Sequence, residues 1–146
     1  MARTKQYFRP KKLSLVQQDV AIKSLFPSFQ GNIDKVVATW EGVIQPTPAC
    51  KSYKIKITYS FNSTPKVWVV SPPIEDNAGG TRPPHIYRDR NLCLWQPRTG
   101  EWTAEKYIAR TIIPWTSVWL YHYEIWQTTG EWLGGGIHPI LRSEED

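Results

Sequence analysis

Thiols are scarce in this chain: among its 146 residues only Cys50 and Cys93 carry one, each in apolar or aromatic surroundings. That excludes the dense, even-numbered cysteine framework that staples small secreted domains, and it makes a reducing, cytoplasmic setting the expectation. Long apolar runs are absent too. No stretch approaches the roughly 18 uninterrupted apolar residues of a membrane span, and MARTKQYFRPKK lacks the apolar segment of a secretory signal. His85, His122, His138 and the two cysteines show none of the close paired spacings of zinc sites. No membrane segment, metal or other cofactor is therefore expected, and no internal repeat is visible.

What the chain does have is apolar and aromatic mass. Apolar residues make up 40%, with eight Trp, seven Tyr and four Phe, enough to bury one sizeable core without stapling. The formal charge of +5 is concentrated at the start, in Arg3, Lys5, Arg9, Lys11 and Lys12. With no nucleic-acid-binding motif beside it, this run reads as a solvated leader or as a docking surface for an acidic protein partner, carried by Arg9, Lys11 and Lys12. The organisation expected is a basic leader over 1–12, one catalytic domain over 13–133 and a Gly-rich tail over 134–146.

Ser14 and Gln17 have the form of a capping box, and Leu15, Ile22, Leu25 and Phe26 follow at helical spacing until Pro27 stops the run. Residues 36–44 read as a strand. Tyr53, Ile55, Ile57, Tyr59 and Phe61 then alternate with polar residues at period two, and Val67 to Val70 form a third β-prone run after the turn residues 62–65. Pro, Gly, Asn and Asp dominate 71–84, an irregular loop. A second helix is predicted from Thr103 through Ile113, and a third from Pro114, with Trp115, Trp119, His122 and Trp126 on one face as core packing. The fold class expected is α+β, an N-terminal helix and an antiparallel meander of about four strands, followed by C-terminal helices.

The most informative stretch is Pro83-Pro84-His85-Ile86-Tyr87, then Leu92-Cys93-Leu94, then Trp102. It resembles the active-site segment of ubiquitin-conjugating enzymes: His-Pro-Asn-Ile-Tyr, a short turn, an aliphatic-Cys-Leu triplet and a downstream Trp. Counted from Pro83, the cysteine falls ten residues on, as it does from that family's His. Thr64-Pro65-Lys66-Val67 resembles the family's Pro-Pro-Lys-Val, and the likeness extends over residues 13 to 126. Two departures stand out: His85 occupies the position of the family's Asn, and Trp102 lies one residue further from the cysteine. In these, and in its Trp- and Gly-rich ending, the chain looks like the divergent bacterial relatives of cyclic-oligonucleotide antiphage signalling (CBASS) operons. The resemblance implies a UBC-like fold and a thioester on Cys93, formed with the C-terminus of a cGAS-like nucleotidyltransferase and passed to an amine of a target protein.

The chemistry agrees with that role independently. A thiolate is intrinsically nucleophilic, and a thioester keeps its acyl group reactive towards amines. Arg88, Arg90 and His85 suggest a positive potential that favours the thiolate, with Asp89 opposing it. Alone, a cysteine between two leucines reads as a small buried hydrophobe; its register with His85, Ile86, Tyr87 and Trp102 is what marks it as catalytic. His85 has three open roles: donor to an oxyanion, proton relay or bystander. Tyr87, Leu92, Leu94 and Trp102 support the site. The rivals are an inactive scaffold that binds the nucleotidyltransferase or a ubiquitin-like modifier, a His-Cys hydrolase lacking a third residue to orient its histidine, and a basic nucleic-acid-binding protein.

Overall fold

The computed structural model describes residues 11–134. Helix α1, Leu15–Leu25, begins as the capping box dictates: the Ser14 hydroxyl accepts from Gln17 N at 3.1 Å, and the Gln17 amide oxygen accepts from Ser14 N at 2.8 Å. Leu15, Gln18 and Ile22 form its buried face, whereas Leu25 turns outward and is 48% exposed. The predicted apolar side is thus corrected at two positions, with buried Gln18 on it and Leu25 off it.

Four strands follow as an antiparallel meander in the order β1-β2-β3-β4: β1 Gln30–Asp34, β2 Val37–Ile44, β3 Tyr53–Ser60 and β4 Lys66–Ser71. Strands β2 and β3 alternate as their sequences require, placing Ala38, Trp40, Ile44, Tyr53, Ile55, Ile57 and Tyr59 in the core. Phe61 falls beyond the end of β3 and is exposed, contrary to the alternation that would have turned it inward. Gly42 also faces inward; a Cβ there would sit 2.1 Å from the Phe29 ring, so the close ring-to-strand contact requires glycine.

The helix predicted over 103–113 does not form. Residues 103–107 are turns, a short 3-10 helix covers Ile108–Arg110, and α2 runs from Ile112 to Thr129 with Pro114 in its first turn. The carbonyls that such a helix would use internally are taken by α1 and its lead-in: Leu13 N donates to Ala104 O at 2.8 Å and Gln18 Nε2 to Lys106 O at 2.9 Å. The Gln18 amide oxygen accepts from Ile108 N at 2.9 Å, so one buried side chain clamps this segment. Gly130, at φ 78°, closes α2 with its N–H on Trp126 O. Strand and helix side chains share one core cluster. The α+β class and four-stranded meander agree with the sequence reading. No helix among the described residues is long and apolar enough to cross a membrane.

Candidate active site

Residues 85–93 fold back on themselves. Ile86 and Leu92 form an antiparallel bridge, Tyr87 N donates to Asn91 O at 2.9 Å, and Cys93 N donates to His85 O at 2.9 Å. The tip is fixed by Arg90, at φ 72°, and by the Asp89 carboxylate, which accepts from both the backbone and side-chain amides of Asn91. Burial would raise Asp89, but those hydrogen bonds outweigh it and hold its carboxyl below the usual range.

Two elements hold this loop. On the β4 side, Leu92 N donates to Val67 O at 2.9 Å and Trp68 Nε1 to Asp89 O at 3.1 Å. From α2, Trp119 Nε1 donates to His85 O at 2.9 Å, so that carbonyl takes hydrogen bonds from both the cysteine backbone and the helix. His85 itself adopts φ 55°, a left-handed conformation unusual for a residue with a side chain.

Cys93 is 8% exposed, and its Sγ lies 3.5 Å from Trp95 O. Burial pushes the thiol up, a hydrogen bond from the Tyr87 side chain pulls it down, and the Glu101 carboxylate pushes it up again; the net shift is upward. The expected positive potential from Arg88, Arg90 and His85 does not prevail. Arg90 is exposed and its guanidinium lies 3.3 Å from Asp76, where solvent screens it.

Cys93 lines a cleft of about 360 Å³ whose walls include His85, Trp95, Trp115, His122 and Trp132. A second cleft of about 430 Å³ lies beyond the wall formed by Leu94, Trp95 and Pro97, and is lined by Lys66, Tyr87, Asp89, Asn91, Arg98 and Trp102. Trp102 is buried; its Nε1 donates to the Thr111 hydroxyl at 3.1 Å and its ring meets Tyr59 edge to face. Leu92 is buried in the core and Leu94 is half-buried between the clefts.

Among the sequence-predicted site residues, Cys93, His85 and Leu94 meet at the first cleft, while Tyr87, Leu92, Leu94 and Trp102 line the second. Lys11 and Lys12 are exposed ahead of α1; Arg9 lies outside the described residues, as do most of the Gly-rich tail and His138. Cys50 lines neither cleft, and its sulfur accepts from the Thr47 hydroxyl at 3.2 Å. The aromatic face of α2 divides: Trp119 and Trp126 are buried in the core, as predicted, but Trp115 and His122 are half-buried, and these two line the cysteine cleft together with Trp119. The signal for this was a polar histidine on an otherwise apolar stripe. Among the described residues no group of three or more His, Cys, Asp or Glu is placed to hold a metal ion.

Among curated proteins, none matches the chain. A family model described as type II CBASS E2 protein matches residues 18–139, a span that takes in the meander, the cysteine loop and α2. Covering well over half of the 146 residues, that match shows that the chain belongs to the family of type II CBASS E2 proteins, E2-like components of CBASS defence.

Proposed function

We propose that this chain is a ubiquitin-conjugating-type cysteine acyltransferase of UBC-like fold, working in the cytoplasm. It holds the C-terminal carboxyl of a cGAS-like nucleotidyltransferase as a thioester on Cys93 and transfers it to an amine of a target protein, thereby regulating CBASS signalling. The observation that carries this reading is the position of Cys93: it lines a cleft on a loop whose backbone is fastened to β4 on one side and to α2 on the other. Such anchoring keeps a nucleophile in place while its acyl partner is exchanged.

Within that reading, His85 lines the cysteine cleft at the position that the resemblance gives to an asparagine, and donates to the oxyanion formed when the thioester carbonyl is attacked. Tyr87 stabilises the thiolate that forms and leaves. The basic residues Arg9, Lys11 and Lys12 are the docking surface for an acidic partner.

A second reading, the inactive scaffold that binds the nucleotidyltransferase or a modifier, draws on the burial that raises the Cys93 thiol. Non-reducing gels separate the two. Wild type, Cys93→Ser and Cys93→Ala are each co-expressed with the nucleotidyltransferase and the rest of the same CBASS system, so that whatever activates the C-terminal carboxyl is present. The acyltransferase reading expects an adduct that thiols cleave in wild type, a thiol-resistant one in Cys93→Ser and none in Cys93→Ala. The same adduct in wild type and Cys93→Ala, or none in wild type, leaves only the scaffold.

A further inference from the structure

The two clefts beside the cysteine differ in charge. The second contains Lys66 and Arg98, whereas among the described residues lining the first there is no Lys or Arg, and its carboxylate is Glu101. Indole rings dominate the first cleft, with Trp95, Trp115 and Trp132 on its walls. Indole faces together with a carboxylate attract a cationic alkylammonium. That is the chemistry of a lysine side chain.

An alkylammonium is not yet a nucleophile; it must first lose a proton. On the wall of this cleft, from α2, stands His122. Its Nδ1 is buried and has no hydrogen-bond partner among the described residues. The ring packs against Trp132, 5.8 Å away centroid to centroid, and a Cβ at Gly134 would come within 2.9 Å of the imidazole, so the chain there approaches closely only because it is glycine.

We propose that the cleft lined by Trp115, His122 and Trp132 receives the acceptor amine, a lysine-type side chain, and that His122 takes its proton. This deepens the acyltransferase reading and rests on it. In the step, the lysine ammonium gives one proton to the His122 imidazole, and the freed amine nitrogen attacks the thioester carbonyl carbon. The C–S bond then breaks, the electron pair leaves on Cys93 Sγ, and the second amine proton passes to that thiolate. The products are an amide, the Cys93 thiol and an imidazolium that returns its proton to water.

The test loads Cys93 chemically, by exchange from a short peptide thioester of mercaptoethanesulfonate, so that no activating partner is needed. Discharge of the full-length protein is then followed with free lysine and with hydroxylamine, which is already deprotonated at neutral pH. His122→Gln is expected to load like wild type, to discharge to lysine about 100-fold more slowly, in the range of a lost general base, and to discharge to hydroxylamine at the wild-type rate. His122→Asn should behave alike. Equal lysine rates in wild type and His122→Gln overturn the assignment, as does an equal loss with both nucleophiles, which marks a structural role. A wild-type protein that takes up no peptide at Cys93 removes the acyltransferase reading itself and the assignment with it.

Discussion

Around Cys93, burial and two side chains set the readiness of the thiol to ionise, and they pull in opposite directions: burial and Glu101 oppose the thiolate while the Tyr87 side chain favours it. Tyr87→Phe is therefore expected to move the pH dependence of iodoacetamide labelling at Cys93 upward, and Glu101→Gln to move it downward. A shift of both variants in one direction would contradict this balance. Cys93 stood out in the sequence because its register with Ile86, Tyr87 and Trp102 resembles a known motif, and the structure places it on a cleft. His122 did not, since helical periodicity assigned it to a packed stripe and only three-dimensional placement brings it to the cysteine cleft. The ionisation expected from Arg88 and Arg90 failed for a related reason: sequence proximity says nothing of screening or of the Asp76 carboxylate that lies beside Arg90.

Helix α1 and the segment ahead of α2 depend on each other through Gln18, whose amide satisfies Lys106 O and Ile108 N in a fully buried position. Gln18→Leu keeps the volume but strands both backbone groups, and each costs roughly 1–3 kcal/mol. We expect a loss of about 2–4 kcal/mol in urea unfolding; a change near zero would show that the segment finds other partners. The start of α1 was readable from Ser14 and Gln17 because a capping box is local. Strand β1 was not, since Gln30–Asp34 is polar and only half-inward, and its extended form comes from pairing with β2, Gly31 opposite Trp40 and Ile33 opposite Ala38. The false helix over 103–113 failed for the converse reason: its helical pattern was real, but long-range hydrogen bonds from Leu13 and Gln18 claimed its carbonyls.

For the whole molecule, the titrating groups define a window of stability. Burial raises Cys93, Tyr59 and Tyr53, the last also through its hydrogen bond to Glu124. Raised acids hold their protons longer folded than unfolded, so their contribution is complete below the unfolded values and is lost as pH rises beyond them. Stability should begin to fall above about pH 8.5, where an unfolded thiol ionises, and more steeply above about pH 10, where unfolded tyrosines do. Asp89 acts at the other end: its lowered carboxyl contributes above the ordinary value, and that contribution is lost as pH drops below about 4. Urea midpoints across this range check both limbs, and in Cys93→Ser the first alkaline decline should be absent.

The proposed function reduces at this scale to one covalent bond, and the most direct measurement is to trap it. Cys93→Ser is expressed with the nucleotidyltransferase and the rest of its CBASS system, and the purified protein is digested and mapped by mass spectrometry. The account predicts a branched peptide in which position 93 is esterified to the C-terminal carboxyl of the nucleotidyltransferase, absent from Cys93→Ala. An unmodified peptide at position 93, or a linkage at another residue, would contradict it.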